Sequence, residues 1–238
     1  MKPGRMRVVD LGKDVPYPVG MAAMRDAIAR VDVDSACGGG PVLLLQDHTP
    51  TITTTRTGGT AFVHTPPDVL AASGIHVVET DRGGDVTFHG PGQLVGYPVV
   101  RLAPAGERAD LMGYLRALEG ALVRACLKLG VADAHVVDGL TGVWCDAPVV
   151  DHETLGCNFV QVARADCKLV AIGVGVGQGV TRHGFAINIT TDLERYTRHI
   201  TACGLVGRGV TSLERVLARI PTRDDVVRAV VSELVEAL

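Results

Sequence analysis

A chain of 238 residues, 47% of them hydrophobic and 21% charged, can bury a full core without disulfide staples. Its formal net charge of −3 argues against a globally basic nucleic-acid binder. Its first twenty residues, broken by Lys2, Arg5, Arg7, Asp10, Lys13 and Asp14, read as neither a signal peptide nor a membrane span. The six cysteines, Cys37, Cys126, Cys145, Cys157, Cys167 and Cys203, are therefore expected to be reduced thiols of a cytoplasmic protein.

Along the chain, Met21, Met24, Ile28 and Val31 fall at helical spacing and predict a first helix over Met21–Val31. The apolar run Val42–Gln46 predicts a buried strand, and the threonine-rich Thr51–Thr55 a second. Pro66–Ser73 reads as a short helix with an early proline, capped by Gly74 and followed by a strand over Ile75–Glu79. Val86–Phe88 and Leu94–Val100 read as extended on either side of a His89-Gly90-Pro91-Gly92 turn. Ala109–Leu129 is the longest helical pattern, with Leu111, Leu115, Leu118, Leu122 and Cys126 on one stripe, and Gly130 ends it. His135–Val137 and Thr141–Cys145 read as short strands, Ala147–Ala165 as a loop or hairpin excursion, and Leu169–Val176 and Phe185–Ile189 as core strands. Arg223–Leu238 reads as an amphipathic helix with Val226, Val227, Val230, Val231 and Leu234 inward. Strands and helices are segregated rather than strictly alternating, which predicts an α+β fold with a mixed, largely antiparallel central sheet flanked by helices. No composition break marks a linker, so residues 1–238 read as one domain.

Three segments carry candidate chemistry. The first runs from Arg82 to Gln93 and continues to Tyr97-Pro98, with five glycines inside Gly83–Gly96. Glycine lets a ligand approach the backbone closely, and Arg82, Thr87, His89 and Gln93 would line such a loop. The spacing is neither a dinucleotide fingerprint nor a phosphate loop, and a tight hairpin with solvated polar groups accounts for the glycines equally well. In the second, Lys168 opens a strongly apolar strand, where a lysine either withdraws from water with a lowered pKa or reaches back to solvent. His183 stands at a turn before the next strand, where a lone histidine is more often structural than catalytic. In the third, Cys203 lies in a glycine-rich stretch outside any apolar stripe, whereas Cys126 sits on the buried stripe of a helix and reads as inert core. Six arginines against three acids lie within residues 181–219, a basic rim that suits an acidic protein partner. Cys145, His152, Cys157 and Cys167 lack paired ligand spacing, so no metal is expected, and no nucleophilic-serine elbow is present.

Taken together, Arg82-Gly-Gly-Asp-Val-Thr-Phe-His89-Gly-Pro-Gly-Gln93 with Tyr97-Pro98, Lys168 with Ala171-Ile172-Gly173, Thr181 with His183-Gly-Phe-Ala-Ile-Asn188, and Cys203-Gly204 with Val210-Thr-Ser-Leu213 resemble the octanoyltransferases of lipoate biosynthesis. The resemblance runs from about Val42 to Leu213. The chain departs from the family pattern at Ala202, where proline is usual, and in a longer Val143–Lys168 stretch. The resemblance implies the fold of biotin and lipoate protein ligases. It implies transfer of octanoate from octanoyl-acyl carrier protein to a lysine of lipoyl domains, those of 2-oxoacid dehydrogenases and the glycine cleavage H protein, with no cofactor, nucleic acid or membrane. By the same resemblance Cys203 would be the acyl-thioester nucleophile and Lys168 the residue that activates it. Substrate contacts would come from Arg82, Gly83, Gly84, Asp85, Val86, Thr87, Phe88, His89, Ala171, Ile172, Gly173, Gly184, Phe185 and Ala186. His89, His183 and Thr181 would serve proton transfer or positioning. The competing readings are an ATP-dependent lipoate or biotin ligase, an amidotransferase moving octanoate between protein lysines, and a non-catalytic carrier-protein binding module.

Overall fold

The computed structural model describes residues 6–32, 39–56, 61–148, 164–201 and 208–238. Among them, eight strands form the main sheet: β1 (Arg7–Asp10), β2 (Val42–Gln46), β6 (Gln93–Val99), β10 (Val180–Asn188), β9 (Arg164–Gly177), β8 (Leu140–Pro148) and β7 (His135–Val137) in that spatial order, with β11 (Gly209–Val210) paired to β9. The β1–β2 and β9–β11 pairs are parallel and the rest antiparallel. A smaller sheet orders β4 (His76–Thr80), β3 (Thr51–Thr55) and β5 (Thr87–His89). The expected mixed, largely antiparallel α+β architecture is what the chain adopts.

One face of the main sheet is covered by α3 (Leu111–Lys128) and α6 (Arg223–Ala237). Leu118, Leu122 and Cys126 of α3 and Val226, Val230 and Leu234 of α6 meet Leu169, Val170, Phe185 and Ile187 of the sheet. Each such buried leucine or valine stabilises the fold by about 1.5–3 kcal/mol, so the stripe rather than local propensity holds these helices. Both helices are capped by their own sequence: Asp110 accepts from the Gly113 N–H, and Thr222 and Asp225 form a reciprocal capping box. The opposite face carries α1 (Tyr17–Arg30), whose Met24 and Ala27 pack on Val42, Val95 and Tyr97. The small sheet has its own core with α2 (Pro67–Ala72) and α4 (Leu193–His199), built on Ile52, Leu70, Phe88 and Tyr196. A short α5 (Leu213–Val216) follows β11. No described helix is long and apolar enough to cross a membrane.

Several expectations are corrected by the structure. The first helix starts at Tyr17, four residues before the apolar spacing begins, because Pro18 is tolerated in the first turn. Of the two forms expected for Ala147–Ala165 its ends take the hairpin one: β8 and β9 stay paired out to Pro148 and Arg164, with 149–163 outside the described residues. Lys168 does not open its strand but lies four residues inside β9. His183 is within β10, not in a turn before it. The His89–Gly92 turn does not close a hairpin: β5 pairs with β3 in the small sheet, while β6 pairs with β2 and β10 in the large one. That turn therefore carries the chain from one sheet to the other, and a cleft opens between them.

Candidate active site

The cleft encloses about 460 Å³, mouth included, between β9–β10 and the Arg82–His89 segment. Its floor is made of small residues in cross-strand register, Gly173 opposite Gly184 and Ala171 opposite Ala186. Two such pairs side by side leave a trough where larger residues would fill the sheet surface. The backbones crowd closely around it. A Cβ on Gly184 would overlap the Gly96 carbonyl, and one on Gly173 would lie 2.9 Å from the Gly83 carbonyl oxygen. The Gly83 N–H donates to the Val174 carbonyl at 2.9 Å and pins the glycine-rich segment to β9.

Arg82 holds that segment from the other side. Its guanidinium donates to the Thr53 carbonyl, the Thr53 hydroxyl and the Asp85 carbonyl, all at about 2.9 Å, and to the Gly83 carbonyl at 3.0 Å. A rigid planar fork spent on carbonyls fixes a loop more strongly than a flexible ammonium would.

The wall between the sheets is a cluster of rings: Tyr17, His48, His89, Tyr97 and His183. His48 Nδ1 donates to the Val15 carbonyl at 2.9 Å, so its Nε2 accepts from the Tyr97 hydroxyl at 2.9 Å. The Gln93 amide donates from Nε2 to the Phe88 carbonyl and to Asn188 Oδ1, which turns Oε1 toward His89. His89 Nδ1 therefore donates at 2.8 Å and its Nε2 keeps a lone pair. Asn188 in turn donates to the Thr211 carbonyl, and Thr211 N–H to the Lys168 carbonyl, both at 3.0 Å. This relay ties the His89 side of the cleft to the strand that carries Lys168. Burial pushes His89 down to about 3 and His48 down to about 4, so both rings are neutral at pH 7. Burial also lowers His183, while its Nε2–H donates to Asp81 at 2.7 Å. His183 adopts a left-handed φ of 58°, which breaks strand alternation where register pairs it with Val174 of the helix-covered face. Its ring instead packs on Tyr97 at 6.1 Å.

Lys168 is 8% exposed, and its Nζ lies 4.7 Å from the centroid of the fully buried Trp144 ring. It lines a second space with Asp85, Leu111 and Thr141, and this space shares Gly83, Gly84, Ile172 and Gly173 with the cleft. Arg208 approaches the same ring at 5.4 Å. Part of the arginine-rich run is already paired, Arg182 with Asp81 and Arg208 with Asp166. Cys203 lies outside the described residues. Of the described cysteines, Cys126 and Cys145 are buried and pushed up to about 12, and burial raises Cys167.

Of the residues singled out by sequence, the cleft brings together Arg82, Gly83, Gly84, Thr87, His89, Ala171, Ile172, Gly173, His183, Gly184, Phe185 and Ala186. Asp85 lines the adjoining space. Val86 and Phe88 point into the small-sheet core, and Thr181 is buried below, donating to the Pro98 carbonyl at 2.7 Å. Tyr17 and His48 were not singled out, and no periodicity marks either; Tyr17 stands between two prolines and His48 between ordinary loop residues. Among the described residues no group of three or more His, Cys, Asp or Glu is arranged to hold a metal.

Comparison with known proteins adds the following. The family described as "Lipoyl protein ligase A/B catalytic domain" matches residues 18–235. An octanoyltransferase of Geobacter metallireducens is 41% identical over 226 residues, covering 94% of this chain and 90% of that protein. An octanoyltransferase of Koribacter versatilis is 40% identical over 184 residues, 77% of this chain and 66% of that protein. Among solved structures, the bipartite lipoate protein ligase of Thermoplasma acidophilum superposes with a TM-score of 0.70 at 17% identity, covering 98% of this chain and 83% of that one. A lipoate-protein ligase A bound with ATP gives 0.67 at 16%, covering 98% and 85%. These structural likenesses speak to the fold.

Proposed function

The chain belongs to the lipoyl protein ligase A/B catalytic family, as an octanoyltransferase of lipoate biosynthesis, and from that premise we propose how it carries its acyl group. Residues 1–238 act as one acyltransferase unit. The Cys203 thiolate attacks the thioester of octanoyl-acyl carrier protein; the new thioester forms on Cys203 and the carrier's thiol leaves with a proton. A lysine amine of a lipoyl domain then attacks the acyl-enzyme, an amide forms, and the Cys203 thiol is regenerated. Thioester exchange is near thermoneutral and amide formation is downhill, so no ATP enters.

The single observation that carries this reading is the trough of Gly173, Gly184, Ala171 and Ala186, which adjoins the space lined by Lys168 through Gly83, Gly84, Ile172 and Gly173. An alkyl chain fits such an apolar trough, with its carbonyl at the lysine end. Chain connectivity supports pairing Cys203 with Lys168: Gly209 and Val210 pair in register with Cys167 and Lys168. The inertness of Cys126, Cys145 and Cys167 leaves the chemistry to one of the other three thiols, Cys37, Cys157 or Cys203. A cation beside a thiol favours the thiolate, which is the role assigned to Lys168. Once Lys168 has passed a proton to the departing carrier thiolate, its amine is the group assigned to receive the incoming amine's proton.

The test is turnover without nucleotide. Octanoyl-acyl carrier protein and an apo lipoyl domain are mixed with the protein, and the lipoyl domain's mass is followed. Octanoylation without ATP, lost in Cys203→Ala, supports the transferase. Octanoylation from free octanoate that depends on ATP and survives Cys203→Ala would replace it with a ligase.

A further inference from the structure

We propose that Tyr17 is the end wall of the acyl trough and sets the length of chain the enzyme accepts; this rests on the transferase reading above. The trough adjoins two other spaces. The trough joins the Lys168 space through Gly83, Gly84, Ile172 and Gly173. It also borders a larger, solvent-open space between α1 and β4, about 1150 Å³ with its open mouth included, and among the described residues Tyr17 alone lines both. Beyond Tyr17 its α1 side offers Met21, Met24 and Ile28, on which further methylenes could lie, while Arg25, Arg56, Glu79, Asp81 and Arg182 make the rest of that space charged.

The wall is built to stay in place. Pro16 and Pro18 flank Tyr17 and preset the backbone on either side of it. Its ring stacks on His89 at 6.1 Å with a 14° interplanar angle and meets His48 at 5.0 Å. Its hydroxyl is within hydrogen-bonding reach of Thr80 and Tyr97. A side chain 3% exposed and held on three sides is a fixed stop rather than a swinging gate. An acyl chain anchored by its carbonyl near Lys168 therefore runs the trough and ends at the Tyr17 ring.

The experiment measures acyl-enzyme formation from octanoyl- and dodecanoyl-acyl carrier protein by intact mass, in wild type, Tyr17→Ala, Tyr17→Leu and Tyr17→Phe. Removing the ring opens the trough into the larger space, so the dodecanoyl-to-octanoyl rate ratio rises about tenfold or more in Tyr17→Ala, since even one methylene in a closed pocket is worth roughly 10–200-fold. Tyr17→Leu, which keeps an apolar contact for folding, shows a smaller rise, and Tyr17→Phe keeps the wild-type ratio. Octanoyl transfer in wild type with an unchanged ratio in both Tyr17→Ala and Tyr17→Leu would overturn the wall alone. A wild type that takes no octanoyl group from the carrier would overturn the transferase reading and the wall with it.

Discussion

The Lys168 Nζ stands 4.7 Å from the centroid of the Trp144 ring, its register partner across the β8–β9 pair. The indole is fully buried, so the attraction acts where water is scarce and contributes about 2 kcal/mol. Trp144 thereby fixes where the lysine charge sits. Trp144→Leu should slow acyl-enzyme formation about tenfold, or about 1.4 kcal/mol, and Trp144→Phe, which keeps a ring face, should slow it less. Stopped reactions with octanoyl-acyl carrier protein at pH 7 measure both; equal losses in the two variants would show that the ring face does not matter.

Gly184 and Gly96 approach so closely across β10 and β6 that one added methyl meets a carbonyl oxygen. Gly184→Ala should lower stability by about 1–3 kcal/mol. A urea titration reads this as a lower midpoint with an unchanged slope.

The relay His89–Gln93–Asn188–Thr211 is buried throughout, so breaking it at its centre strands several polar groups. Gln93→Leu leaves His89 Nδ1–H, the Phe88 carbonyl and Asn188 Oδ1 without their partner and should cost about 2–3 kcal/mol. Gln93→Glu, which keeps an acceptor for His89, should lose less; equal urea midpoints in Gln93→Leu and wild type would show that the relay adds nothing to stability.

Acid should destabilise the protein through its neutral buried histidines. His48 and His89 fall from 6.5 to about 4 and about 3 on folding. Above pH 6.5 both states leave these rings neutral and their contribution is constant. Below it the unfolded chain takes up protons that the native rings refuse, so stability falls as pH drops toward 4, by up to about 1.4 kcal/mol per pH unit for each ring. Urea midpoints at pH 7, 6 and 5 test this, and His48→Gln should flatten the decline.

Much of this architecture was legible before the fold was seen. Val42–Gln46, Thr51–Thr55 and His135–Val137 are strands with the limits that β-branched and apolar runs predict, and the Ala109–Leu129 stripe became the helix over the core. What periodicity does not carry is tertiary pairing. The Arg82–Gln93 motif looks like a hairpin locally, yet its two strands join different sheets, because β3 and β10 offer better partners than each other's neighbour. Strand β1 and helix α4 are short and mixed in polarity, and their order comes from Leu43–Leu45 and from the small-sheet core. The trough was legible as a motif, since glycines at Gly83, Gly173 and Gly184 require close backbone approach. Tyr17, which also lines it, was not: it lies far away in sequence and carries no pattern of its own.

The central claim is that the acyl group travels on Cys203. The direct measurement is the intact mass of the protein after brief exposure to octanoyl-acyl carrier protein without nucleotide, followed by peptide mapping. One octanoyl group on Cys203, discharged on adding an apo lipoyl domain, is the predicted result. An octanoyl group on another residue, or transfer to the lipoyl domain with no acyl-enzyme on Cys203, would contradict it.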